Sequence, residues 1–179
     1  LTPEEVLIEG CKRKERGAQK LLFEKYASKM MGICIRYMGN EHDAQDLLHD
    51  GFIKVFMKMT SFKGNSSLST WMSRIFVNLA LNKLQRGKGK WQFEEINDAH
   101  YQAEPDESFP QGIDGAVVLE ELNRLPENYK LVLNMYAIDG LSHKEIAEAT
   151  GLSESNSKSR LFRARVMLKE NLKSRGYFE

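Results

Sequence analysis

Apolar residues along this chain recur at the three- and four-residue spacing of amphipathic helices, and no run of Val, Ile and Thr alternates as a strand would. Across residues 43–59, Ala44, Leu47, Leu48, Gly51, Phe52 and Val55 return to one side, which predicts a helix with that side in a core. The opposite side carries His42, Asp46, His49 and Asp50, but also Ile53 and Met57. A freely solvated face would not favour that mixture, whereas a protein partner would. Residues 62–70, FKGNSSLST, read as a loop, and a helix follows from about Thr70 to Arg86. That helix is apolar on most sides. Its polar exceptions, Arg74, Asn78 and Asn82, repeat every four residues, as either a buried hydrogen-bonding stripe or one side of a nucleic-acid contact.

The pattern is sharpest over residues 142–165, SHKEIAEATGLSESNSKSRLFRAR, which predict two helices around a glycine turn. Ser142 followed by Glu145 is a capping box, and Ile146 and Ala147 give the first helix a small apolar face. Gly151 supplies the left-handed conformation of a tight turn, and Ser153 caps the second helix. On that second helix Leu161, Ala164, Leu168 and Leu172 fall on the core side. Ser155, Ser159, Phe162, Arg163 and Val166 fall outward. An outward Phe beside Ser and Arg suits a DNA major groove, where thymine methyls and base edges are read. Seven Lys or Arg against one acid between Ser155 and Arg175 surround that face with a phosphate-neutralising field. These features make a helix-turn-helix.

Charge changes the picture only locally. The net charge is +1 over 179 residues, so any nucleic-acid binding depends on segregation of charge within the chain. Segment 92–114 holds seven acids, Pro105 and Pro110, and no Lys or Arg, and reads as a linker. It is a solvated tether, or a strap that shields basic surfaces or follows a basic channel. Lys83, Arg86, Lys88 and Lys90 cluster just before it. The expected architecture is all-α: a helical domain over 3–90, an acidic linker over 91–112, and a winged-helix-like helix-turn-helix domain over 113–175. Cys11 and Cys34 have no metal-ligand spacing and suit a reducing compartment. The acidic amino terminus is unlike a signal, and no apolar run approaches the about 18 residues of a membrane span, so a soluble cytoplasmic protein without membrane insertion is expected.

Candidate chemistry is sparse. His42, Asp46, His49 and Asp50 share a ligand-capable face, yet they lack the His-x-x-x-His pair of a zinc helix, and no second ligand cluster appears in the same block. No phosphate loop or serine elbow is present. The expectation is therefore no catalytic residue, no metal and no cofactor. A helical metalloprotein would leave the basic helix idle. A stand-alone helix-turn-helix regulator would leave Ile53 and Met57 beside Asp46, and the Ser-rich loop before Trp71, unexplained.

DAQDLLHDGF, the Ser-rich loop, TWMSRIFVN, LPENYKLV and the helix-turn-helix, in that order over roughly residues 20–173, resemble the extracytoplasmic-function (ECF) group of bacterial sigma-70-type sigma factors. The resemblance implies an alternative sigma factor that binds core RNA polymerase, reads two promoter boxes and promotes melting of the duplex. It implies docking on polymerase through Asp46, His49, Asp50, Ile53 and Met57, where the family's usual Gln and Glu are replaced by His49 and Asp50. It implies recognition and melting of the downstream box by Asn65, Ser66, Ser67, Leu68 and Ser69 with Trp71, Arg74 and Asn78. A loop of small hydroxyl and amide groups can receive an unstacked base. Lys63, Lys83 and Arg86 would add phosphate contacts. The upstream-box reader falls on Ser155, Lys158, Ser159, Phe162 and Arg163, with Arg160 and Arg165 as phosphate partners. Asn156 and Ser157 depart from the family's Thr and β-branched apolar residue. The resemblance further implies an anti-sigma factor, in this family often membrane-bound.

Overall fold

The computed structural model describes residues 1–88 and 112–177, with no side-chain description at Lys88. The chain divides into two units, Leu1–Lys90 and Trp91–Glu179. The acidic segment expected over 91–112 and the cation of Lys90 lie outside the described residues, apart from Gly112. Among the described residues all regular structure is helical. The helix-turn-helix expected in the second unit is present, but among the described residues no strand forms a wing beside it.

In the first unit, α1 (Pro3–Lys12) starts at a capping box in which the Thr2 hydroxyl accepts from the Glu5 amide and the Glu5 carboxylate accepts from the Thr2 amide. The Tyr26 hydroxyl donates to the Glu4 carboxylate at 2.5 Å and pins α1 to α2 (Arg16–Met38). That bond, with Lys25 beside it, holds Glu4 below the usual carboxylate range. Gly39, at φ +76°, ends α2 in the left-handed conformation, and Asn40 caps α3 (Glu41–Lys58) by accepting from the Asp43 amide at 2.8 Å.

A turn of 3-10 helix, Met59–Ser61, leads into the loop before α4 (Leu68–Lys88). This helix begins two residues earlier than the apolar pattern indicated, because the Ser67 hydroxyl accepts from the Thr70 amide and supplies its start. Leu22, Met30, Ile33 and Cys34 of α2, Leu47, Phe52 and Val55 of α3, and Met72, Phe76 and Val77 of α4 form the core. Phe52 packs 4.7 Å from the Phe23 ring and edge-on to Phe76 at 5.5 Å. Both cysteines are free and buried, and desolvation pushes the Cys34 thiol up to about 12.

In the second unit, α5 (Gly115–Asn123) is capped by Asp114 and followed by α6 (Glu127–Leu133), which runs on into a π-helical turn over Asn134–Ile138. Next come α7 (His143–Thr150) and α8 (Glu154–Ser174). Ser142 makes the expected capping box with Glu145, Gly151 takes φ +79°, and Ser153 caps α8 by accepting from the Asn156 amide. Leu161, Ala164, Leu168 and Leu172 are buried as expected, as are Leu122, Leu131, Met135 and Ile146 of the other helical elements. Glu121, 2% exposed, accepts from Arg175 at 2.8 Å and pairs with Arg124 at 3.1 Å, which ties α5 to the end of α8.

Ser142→Ala removes the acceptor for the Glu145 amide. It is expected to lower the stability of the second unit by about 1 kcal/mol, read by thermal unfolding. An unchanged midpoint would mean that the capping box contributes nothing to this turn.

Candidate functional site

Three surfaces carry the residues singled out in the sequence. The first is the outer face of α3. Asp46, His49 and Asp50 are exposed, Ile53 is 47% exposed and Met57 72%. The core period that buries Ala44, Leu47, Phe52 and Val55 leaves these five together on the far side of one helix. Asp50 is held at 3.2 Å by Lys83 of α4, a link that sequence spacing could not reveal. The ligand atoms of His42, Asp43 and Asp46 lie within 4.8 Å of one another, all on exposed side chains, and His49 and Asp50 are not part of that group. An exposed acidic turn at a helix start has the same appearance without any ion, so this geometry adds nothing to the weak case for a metal.

The second surface is the loop after the 3-10 turn, with the first turns of α4. Lys63 and Asn65 are exposed, and Gly64 takes φ +75°, the left-handed conformation that bends the loop. The Phe62 and Trp71 rings meet at 5.2 Å and brace its two ends. The Ser67 hydroxyl is 2.9 Å from that of Thr70, and Ser69 accepts from Lys29 of α2 at 2.6 Å. Leu68, expected among the base-contacting residues, is only 1% exposed and belongs to the core, because it is the first residue of α4 on the same face as Met72. Arg74, Asn78 and Asn82 are exposed, which decides against a buried stripe. Arg86 is exposed as well, and Lys83 is half-buried against Asp50.

The third surface is α8. Ser155, Lys158, Phe162 and Val166 are exposed, Phe162 by 38% and Val166 by 40%, while Arg163 and Arg165 are half-buried on the flanks of that face. Two expected positions move. Ser159, 4% exposed, turns its hydroxyl back onto the Ser155 carbonyl at 3.2 Å instead of facing outward. Arg160, 2% exposed, is not a surface phosphate partner: it lies three residues after buried Ser157 and four before buried Ala164, and so shares their face. His143 is the first residue of α7. Its Nδ1 lies 2.9 Å from the Ser157 hydroxyl, its ring stacks on Tyr136, and desolvation, with Lys158 and Arg165 nearby, holds it below the ordinary imidazole range.

Comparison with known families decides what these surfaces belong to. The family described as Sigma-70 region 2 matches residues 22–89, and the one described as Sigma-70, region 4 matches residues 116–168. The chain belongs to the ECF group of the sigma-70 family. Among its relatives, the ECF RNA polymerase sigma-E factor of Haemophilus influenzae is 29% identical over 180 residues, covering 94% of this chain and 95% of that one. The RNA polymerase sigma factor YlaC of Bacillus subtilis is 32% identical over 164 residues, covering 89% and 94%. In fold the chain is similar to the sigma factor RpoE of Bartonella quintana, described in complex with the anti-sigma factor NepR, at a TM-score of 0.56, 23% identity and coverage of 86% and 96%. The chain is accordingly an alternative sigma factor and not an enzyme. The α3 and α4 surfaces lie within region 2 and the α8 surface within region 4.

Proposed function

We propose that the three surfaces divide the work of initiation in this order. Asp46, His49, Asp50, Ile53 and Met57 dock on core RNA polymerase. Asn65, Ser66, Ser67 and Ser69 with Trp71, Arg74 and Asn78 capture the downstream box as single strand, with Lys63, Lys83 and Arg86 on phosphates. Ser155, Lys158, Phe162 and Arg163, flanked by Arg165, read the upstream box in the major groove. The observation that carries this reading is the exposed Phe162 and Val166 on a basic helix of a helix-turn-helix. Exposed apolar groups set among cations match thymine methyls within a phosphate field. Strand separation then draws on binding energy, since an unstacked base held in the loop cannot re-pair.

The helix-turn-helix assignment makes a graded prediction. Arg163→Ala is expected to cost about 1–3 kcal/mol in binding of the upstream box and to relax base preference. Arg160→Ala, at a buried position, is expected to act through the stability of the second unit, with preference retained by the folded fraction. Titration of the chain onto duplexes with single substitutions in the upstream box, paired with thermal unfolding, separates the two. Equal loss of preference in both variants would contradict the assignment.

The cell compartment fits the same reading. Among the described residues no helix is long and apolar enough to cross a membrane, and a factor that works with RNA polymerase belongs in the bacterial cytoplasm. A partner of the anti-sigma class is supported by the complex in which the Bartonella quintana sigma factor is described. Its occupancy would be read as protection of one of the three surfaces from hydrogen exchange.

A further inference from the structure

Ser157 is where this chain leaves the packing pattern of the helix-turn-helix, and the structure shows what replaces it. A serine at a position 0% exposed brings a hydroxyl into the contact between α7 and α8. That hydroxyl shares a hydrogen bond of 2.9 Å with Nδ1 of His143, the first residue of α7. The imidazole is in turn stacked on the Tyr136 ring, with centroids 4.5 Å apart and planes at 19°. Tyr136 belongs to the π-helical turn, and the guanidinium of Arg165 lies 5.8 Å from its centroid. A pair of rings outside α8 therefore touches that helix at two points, Ser157 and Arg165. Those residues are separated by about 12 Å along the axis at ~1.5 Å rise per residue. Lys158, Phe162 and Arg163 fall between them.

We propose that Tyr136 and His143 are positioning residues for the upstream-box reader: their stacked rings, anchored on Ser157 and Arg165, set the roll of α8 and thereby its base discrimination. The proposal rests on α8 being the reader. Apolar packing between two helices resists separation but is tolerant of small rotations. A directional hydrogen bond at one end is less so, the cation over the ring at the other adds a second point of attachment, and base-edge hydrogen bonds weaken steeply when misaligned. The charges that face His143 act with the arrangement. Desolvation opposes a charge on the imidazole most, Lys158 and Arg165 add to that opposition, and Glu154 favours the charge. These influences favour the neutral imidazole, stacked on Tyr136 beside Lys158 and Arg165.

The test uses the full chain assembled with core RNA polymerase on promoters that differ by single base pairs in the upstream box. Its readout is the ratio of transcription from the favoured to the substituted box. Tyr136→Phe keeps the ring and is expected to keep the ratio. Tyr136→Leu removes the stack and is expected to lower the ratio about fivefold or more, without changing downstream-box preference or the concentration needed to saturate core. Ser157→Ala deletes one hydroxyl and leaves the fold in place; it is expected to lower the ratio about twofold. An unchanged ratio in Ser157→Ala and Tyr136→Leu, or equal losses in the Phe and Leu variants, would overturn the proposal. Phe162→Ala and Arg163→Ala run in the same assay. If they too leave the ratio intact, the reader assignment itself is wrong. If they collapse it while the other variants do not, only the positioning role falls.

Discussion

A chain carrying Gly51→Ala is expected to lose the native packing of its first unit and, with it, polymerase recruitment. A Cβ at this position would overlap the Phe76 ring, which lies directly on the glycine where α3 crosses α4. The ring has no room to retreat, since Phe76 is 0% exposed and stands edge-on to Phe52, which is itself packed on Phe23. Alanine improves intrinsic helix propensity by about 1 kcal/mol, but overpacking a filled core costs about 1–3 kcal/mol and can cost more. The clash wins, because relief requires α3 to move away from α4. The expected fall in midpoint is roughly 4–8 °C for each kcal/mol lost in a unit of this size. Gly32→Ala is the control, at an exposed site of α2 with nothing within 4 Å of the added carbon, and is expected to hold or raise the midpoint. Thermal unfolding followed by circular dichroism reads both. A Gly51→Ala chain as stable as the parent would mean that α3 and α4 are not this close.

Asp46→Ala is expected to have the second large effect, and a different one. Asp46 is exposed on the outer face of α3, where its carboxylate lies 3.9 Å from Nε2 of His42. An exposed pair of this kind contributes roughly 0–1 kcal/mol, so its loss leaves the fold intact. Within a docked interface the same carboxylate would be desolvated against its partner. Truncation there costs about 2–4 kcal/mol, or roughly 30- to 1,000-fold in affinity for core. The variant is expected to unfold like the parent, to bind an isolated upstream box normally, and to fail to recruit polymerase when the factor is limiting. Normal transcription by Asp46→Ala under that condition would remove α3 from the docking role.

The elements legible in the sequence were those whose local signals agreed with their burial. Ser142 with Glu145, Gly151 and Ser153 specify a turn by short-range chemistry, so both helices of the helix-turn-helix start where their caps stand. The face of α3 was legible because one apolar period ran unbroken from Ala44 to Val55. The errors arose where type or phase alone misled. Arg160 looks like a surface residue by composition, yet the phase of α8 places it inside, whereas Ser159 lies on the outward phase but turns its hydroxyl onto its own helix and is covered. Leu68 sat in a Ser-rich stretch that reads as loop, and the cap at Ser67 drew it into α4. Tertiary contacts such as Asp50 with Lys83, or Tyr136 with His143, join residues 33 and 7 positions apart through turns whose geometry no periodicity encodes. The π-helical turn is of that kind: it places Tyr136 against α7 without any marker residue in its sequence NMYAI.

The most direct test of the account is run-off transcription from genomic fragments by bacterial core RNA polymerase, with and without this chain. Discrete new start sites, each preceded by a shared pair of upstream and downstream boxes and lost with Asp46→Ala, are the result expected of an ECF sigma factor with this division of surfaces. No new transcript and no stable complex with core would contradict it, and would leave α8 as the reader of a regulator that never meets the polymerase.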